Sequence, residues 1–287
     1  MKKSKATENA MNAVFTVCGL TALAFVIVIT IFLLVSGIPA IREIGAVKFL
    51  LGKIWKPTAA EAQYGILPFI LSSVAGTIGA VIIGVPIGLM CAIYISKFAP
   101  PKFGAAVRTA VELLSGIPSV VYGLVGMIII VPAVRKAFSL PDGANLFSAI
   151  LVLAVMILPS VISVSETAIK AVPKEYEEGS LALGATKTET VFKVVVPAAK
   201  SGILTAAVLG IGRAIGEAMA VMMVSGNTAN MPKLFGSVRF LTTAVASEMS
   251  YSSGLQRKAL FSIALVLFIF ILIINLVLNM VIKKKKG

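Results

Sequence analysis

Residues 172–197 read VPKEYEEGSLALGATKTETVFKVVVP and lie between two long apolar blocks, Leu146 to Ile169 and Ile203 to Val224. Pro173 has a fixed φ that suits the first position of a helix. Glu175, Glu177 and Glu178 then fall in the first turns, where the helix dipole favours negative charge. Gly184 is a natural C-terminal stop. Thr186 and Glu189 have the spacing of a capping box, so a second helix starts at Thr186. Val191, Val194 and Val195 follow on one face of it, and Pro197 interrupts it. The stretch therefore predicts two short, capped helices joined by a glycine turn. Such a connector can seat in a groove on a soluble partner, or it can be a well-capped link and nothing more.

The flanking blocks set the fold class. Of the 287 residues, 58% are hydrophobic and only 13% charged, about half the charged share of a soluble domain. The apolar residues cluster in blocks of about 20 or more, the length a helix needs to cross a membrane. Six spans are predicted: Val14 to Ser36, Ile66 to Ile95, Thr109 to Val131, Leu146 to Ile169, Ile203 to Val224, and Ala259 to Ile282. The second is longer than a bilayer requires, so it tilts or bends at Pro86. The first follows Lys2, Lys3 and Lys5 as a secretory signal would. Its apolar part is too long for one, and no A-x-A-like cleavage site follows it, so it reads as an uncleaved helix.

A net charge of +14 in a soluble chain would point to nucleic acid. Here most basic residues flank the spans, so they set orientation instead. Lys2, Lys3 and Lys5, then Lys97, Lys102 and Arg108, then Lys170, Lys174, Lys187, Lys193 and Lys200, and Lys283 to Lys286 make 15 on one side, against 10 Lys and Arg on the alternate connections. This places both termini in the cytoplasm, with Lys283 to Lys286 anchored on anionic lipid. Cys18 and Cys91 lie within apolar blocks and give no disulfide framework or metal spacing. There is no histidine, which removes the commonest general base and metal ligand. Nothing suggests a catalyst, a metal or a cofactor. Gly179 to Thr186 approximates a phosphate-binding loop, but it lacks the lysine after the second glycine and no strand precedes it.

The spans carry groups that are costly in hydrocarbon. Arg213 and Glu217 stand four residues apart in the fifth span, where a central charge costs about 2.5–3.5 kcal/mol on insertion scales. On one helix face they can pair, with Gly212 and Gly216 admitting a close neighbour. The pair is either a structural tie or a pathway site whose guanidinium receives a tetrahedral oxyanion. Ser119, Tyr122, Ser163 and Ser165 either line that path or bond their own backbone. Glu112 and Glu166 lie near span ends, where solvation or salt bridges to lysine account for them. Gly84, Pro86, Gly88, Gly116, Pro118 and Pro159 either mark helix breaks along a pathway or, for Gly84 and Gly88, allow close packing.

Glu178-Gly-Ser-Leu-Ala-Leu-Gly184 followed by Val196-Pro197 resembles the EAA motif of ABC importer permeases, with Gly179-Ser180 where two small residues, often alanines, are usual. The likeness runs from about Ile66 to Ile282. It implies an all-α membrane protein with the six-helix fold of the smaller importer permeases, such as methionine importers. Residues 1–65 would hold the N-terminal tail, first helix and first outer loop. Residues 66–282 would form a five-helix core with a cytoplasmic coupling loop at 172–201, and 283–287 a basic tail. In such permeases the loop inserts into the ATPase, which implicates Glu178, Gly179, Ser180, Leu183, Gly184, Ala185 and Pro197 in coupling. Gly210-x-Gly-Arg213-Ala-x-Gly-Glu217, Gly116-Ile-Pro118-Ser-Val-Val-Tyr122-Gly123, Leu158-Pro159 through Ser165-Glu166, and Leu181-Ala-Leu-Gly184-Ala185 are similar to the phosphate-importer branch. That branch implies phosphate passage along Arg213, Glu217, Ser119, Tyr122, Ser163 and Ser165. It also implies as partners a pair of ATP-binding cassette ATPases, a second permease, an extracytoplasmic phosphate-binding protein and membrane lipid of the bacterial inner membrane, with no role for nucleic acid. The same fold carrying sulfate or molybdate is the alternative, and a self-sufficient secondary transporter a further one.

Overall fold

The computed structural model describes residues 2–284. The side chains of Lys2, Lys3 and Lys5, and residues 285–287 with the side chains of 283 and 284, lie outside the described residues. The chain folds as helices joined by short connections. The first, α1 (Lys2–Ile44), is followed by α2 (Ala46–Leu51) and a two-stranded hairpin, β1 (Trp55–Lys56) against β2 (Gln63–Tyr64). Next come α3 (Leu67–Ile93), α4 (Pro101–Gly116), α5 (Ser119–Val125), α6 (Val131–Ala137) and α7 (Leu146–Lys170). The 172–201 connection holds α8 (Lys174–Ala182), α9 (Lys187–Thr190) and α10 (Val196–Ala198). The chain continues through α11 (Lys200–Gly216), α12 (Met219–Val224), α13 (Leu241–Glu248) and α14 (Gly254–Lys284). Wide five-residue turns of π type follow α3 at Tyr94–Phe98, join α5 to α6 at Gly126–Ile130, and join α9 to α10 at Val191–Val195.

Five helical stretches are long and apolar enough to cross a membrane: Met11–Ile44, Leu67–Phe98, Ser119–Ala137, Leu146–Lys170 and Gly254–Val277. A sixth arises if Lys187–Ala198 and Lys200–Gly216, bent by 69° against each other, count as one. Two spans differ from their sequence reading. The third, expected from Thr109 to Val131, breaks at Ile117 and Pro118 and resumes as Ser119–Ala137. The fifth, expected unbroken from Ile203 to Val224, breaks at Glu217 and Ala218. The second helix runs on through Pro86.

Helix α7 is the centre of the bundle. Its span is 61% buried, against 0% for that of α1. Small residues on its neighbours make this possible. A Cβ added at Gly84 would stand 2.7 Å from Ile157, and one at Gly88 would stand 2.8 Å from Val161. Close packing of α3 on α7 therefore accounts for both glycines. Gly210 brings α11 against Ile157 and Val161 in the same way. Leu153, Met156, Ile157 and Val161 complete a dry core there.

By contrast, α1 is apolar on all sides, and residues 11 to 29 are exposed throughout. A helix hydrophobic all round suits lipid, because hydrocarbon demands no polar face. It joins the bundle only toward its end, where Phe32 meets Phe261 edge-on and Ser262 Oγ donates to the Gly37 carbonyl at 2.5 Å. At the end of the bundle remote from 172–201, the Glu248 carboxylate accepts from Trp55 Nε1 (3.1 Å), Gln256 Nε2 (3.1 Å) and Arg239. One carboxylate thus ties the β-hairpin, α13 and the start of α14 together.

Candidate functional site

Two matched interruptions form the site. At the first, α4 ends on Gly116 and Ile117 is extended (φ −71°, ψ 128°). Pro118 has no N–H to continue the ladder, and α5 restarts at Ser119. At the second, α11 ends on Gly216 and Glu217 adopts almost the same backbone (φ −73°, ψ 129°). The restarted halves, α5 and α12, cross closely. A Cβ on Gly123 would meet the Ala220 Cα and the Met223 sulfur, each at 2.8 Å. The two breaks therefore lie side by side.

Arg213 stands in the last turn of α11, half-buried. The expected partnership with Glu217 is corrected here. The helix stops before Glu217, so four-residue spacing no longer puts the two side chains on one face. The Glu217 carboxylate instead accepts the Ala220 N–H at 3.0 Å, capping α12. Among the described residues Arg213 has no ion-pair partner. Nor do Gly212 and Gly216 seat a neighbour, since nothing in this chain comes within 4 Å of a Cβ at either.

The other sequence-predicted pathway residues divide. Ser119 is half-buried and opens α5 at the first break. Tyr122 is 9% exposed, and its hydroxyl is committed to the Leu114 carbonyl at 2.6 Å. Ser163 and Ser165 are not brought to Arg213. Gly210 of α11 lies against Ile157 and Val161, so both serines fall on the 172–201 side of that level. Ser163 is exposed, and Ser165 is fully buried with its Oγ unpaired. They lie on different sides of α7. Glu166, 6% exposed, is held by Arg108 and by Lys170 at 2.7 Å, whereas Glu112 is exposed. Sequence reading missed Thr242, whose hydroxyl donates to the Glu217 carbonyl at 2.7 Å.

The 172–201 connection follows its sequence reading closely. Pro173 is the residue just before α8, one position earlier than expected. Gly184 has φ +88°. The Gly184 N–H bonds to Leu181 at 3.0 Å, and that of Ala185 bonds to Ser180 at 3.3 Å. This is the paired arrangement that closes a helix with a left-handed glycine. Thr186 and Glu189 form the reciprocal capping box. Ser180 and Thr190 share a hydrogen bond of 2.9 Å, fastening the two short helices together. The pair is fixed to the foot of α3 by Lys97–Glu177 at 2.5 Å and by Lys187 over the Phe98 ring. Val191 and Val195 are buried with Ile93, Ile95, Ile162 and Ile169. Leu183, at the tip, is 91% exposed, with Tyr176 and Leu181 exposed beside it. Glu178, Gly179 and Pro197 are also exposed. The result is a firmly held hairpin with an apolar tip.

Bonds from the Thr186 amide and hydroxyl, with Lys193 nearby, hold the Glu189 carboxyl down at about 2. A carboxylate depressed on folding stabilises fully above its unfolded value and loses that effect as pH falls toward the folded one. The melting-temperature gap between the wild type and Glu189→Ala should therefore be constant above pH of about 4.5 and close on acidification. A gap independent of pH would show that the carboxylate is not what caps the helix.

Residues 84–286 match the model of a family described as the binding-protein-dependent transport system inner membrane component. The chain belongs to that family. It is a multi-pass membrane protein of the permease kind. It is 41% identical over 271 residues to the probable ABC transporter permease protein YqgH of Bacillus subtilis, covering 91% of this chain and 88% of that protein. It is 36% identical over 262 residues to the phosphate transport system permease protein PstC of Pasteurella multocida, covering 83% and 81%. In fold it is similar to a chain of the inward-facing MetNI methionine ABC transporter, with a TM-score of 0.61 and 20% identity over 76% of this permease and 95% of that chain. The fold expected from the EAA-like motif is thus the fold observed.

Proposed function

We propose that this permease conducts inorganic phosphate across the bacterial inner membrane by alternating access, driven by ATP hydrolysis on a separate ATPase pair. The observation that carries this reading is Arg213, a guanidinium in the last turn of α11 with no carboxylate partner among the described residues, beside two helix breaks. An unpaired charge there costs several kcal/mol unless an anion or water meets it. A guanidinium offers donors in a fork that matches a tetrahedral oxyanion. Kinship with the phosphate transport permease of Pasteurella multocida supports phosphate as that anion.

On this reading Arg213 contacts the ion and Ser119 stands beside it. Glu217 and Tyr122 shape the site through the backbone, and Ser163 and Ser165 are left outside it. The 172–201 hairpin faces the cytoplasm, as do both termini. Its exposed tip, with Glu178, Gly179, Ser180, Leu183, Gly184 and Ala185, docks in the ATPase, and Pro197 ends the loop beneath α11. A second permease completes the conduit, and a phosphate-binding protein delivers at the opposite face. Residues 1–65 are an addition to the core of residues 66–282, and residues 283–287 a tail on anionic lipid.

Reconstitution tests the whole reading. Liposomes holding the permeases, ATPases, binding protein and internal ATP should accumulate phosphate. Liposomes holding this chain alone should not. Uptake by the chain alone would make it a secondary transporter, and accumulation of sulfate or molybdate instead of phosphate would replace the substrate.

A further inference from the structure

We propose that Tyr122 and Thr242 are positioning residues, whose hydroxyls hold the two helix breaks open beside Arg213. The inference rests on the reading of Arg213 as the phosphate contact, and it adds what keeps that contact available. In an unbroken helix the Leu114 carbonyl would accept from the backbone of residue 118. That residue is Pro118, which has no N–H to give. The carbonyl is left inside a membrane protein, where an unsatisfied backbone group costs several kcal/mol. The Ile117 N–H reaches back to it at 3.2 Å, and the Tyr122 hydroxyl donates to it at 2.6 Å. Tyr122 is 9% exposed, so its hydroxyl is held against that carbonyl by the packing of its ring.

The second break is answered in kind without a proline. The Glu217 carbonyl accepts from Thr242 Oγ1 at 2.7 Å, and Thr242 is 8% exposed. Thr242 belongs to α13, which leads directly to the Glu248 cluster that fastens Trp55, Arg239 and Gln256. The extended residue is thereby pinned to the firmly tied end of the molecule. The consequence falls on Arg213. Were α11 and α12 to join as one helix, Glu217 would return to the face of Arg213 one turn away, and the two would pair. With the break open, Glu217 caps Ala220 and the guanidinium stays free. Gly123 lies against Ala220, so the two restarted helices touch one turn beyond the breaks.

The test uses the complete complex in liposomes, with two readouts. Spin labels at Leu113 and Ile128, both exposed and on opposite sides of the first break, report its geometry once Cys18 and Cys91 are replaced by Ser. Phosphate uptake per ATP hydrolysed reports function. Tyr122→Phe should shift or broaden the label distance and lower uptake per ATP about 10-fold, the equivalent of one hydrogen bond of ordinary strength. Thr242→Val should lower uptake similarly, and Thr242→Ser, which keeps the hydroxyl, should restore it.

Pro118→Ala supplies the missing N–H. Combined with Tyr122→Phe, it should recover melting temperature while uptake stays low, because the span has straightened. An unchanged label distance in Tyr122→Phe overturns the proposal, as does uptake recovered together with melting temperature in the double variant. A distance that changes while uptake does not overturns the positioning role as well. Failure of the underlying reading looks different, namely normal uptake by a variant lacking Arg213 itself.

Discussion

Arg213→Gln should cut phosphate uptake by the complete complex about 100-fold, while the complex still assembles and still hydrolyses ATP. The variant keeps a polar side chain of similar length and removes the charge. A hydrogen bond to a charged group contributes about 1.5–3 kcal/mol, and the guanidinium offers more than one. Loss of roughly 3 kcal/mol corresponds to about a 100-fold fall in transport, measured as labelled phosphate accumulated per minute. Assembly survives because no ion pair within the chain depends on Arg213 among the described residues. Arg213→Lys keeps the charge but not the planar fork, and it should retain a small part of the rate. Normal uptake by Arg213→Gln would remove this residue from the mechanism and leave its place in the membrane unexplained.

The reach of sequence reading can be followed residue by residue. The 172–201 hairpin was legible almost to the residue because its signals are local. A proline, a glycine and a Thr-x-x-Glu box each act on backbone groups within four positions, and no distant partner can overrule them. Long spans were legible for the same reason, since hydrocarbon sets their length. The first break was half legible, because Gly116 and Pro118 mark it, though where the span resumed was not. The second break carries a glycine, Gly216, but no proline, and the interruption there is part local and part tertiary. Thr242 takes the Glu217 carbonyl and the Glu217 side chain takes the Ala220 N–H. A partner 25 residues away leaves no trace in local pattern, so an i,i+4 ion pair was the natural reading and an incorrect one. The two serines of α7 are a different case: residue type suits both to a pathway, but it does not tell that one is exposed and the other buried on the opposite side of the helix.

Gly184→Val should uncouple the permease, cutting phosphate uptake about 10-fold or more and weakening co-purification of the ATPases. The reason lies in the backbone, since a Cβ at this position would meet nothing within 4 Å. The residue sits at φ +88°, where an L-residue pays roughly 1–2 kcal/mol and a β-branched one more. Valine can relieve that strain only by unmaking the bonds from residues 184 and 185 back to Leu181 and Ser180. The exposed Leu183 would then leave its place at the hairpin tip, although Lys97–Glu177 and the buried Val191 and Val195 still hold the base. Gly184→Asn separates backbone strain from simple obstruction of a partner. Asparagine is larger than glycine but tolerates the left-handed region. If strain governs, Gly184→Asn keeps most of its uptake while Gly184→Val loses it. Equal loss in both would mean that bulk at the docking surface matters and the turn geometry does not. Full uptake in both would leave the hairpin a connector, with force reaching α11 by some other part of the chain.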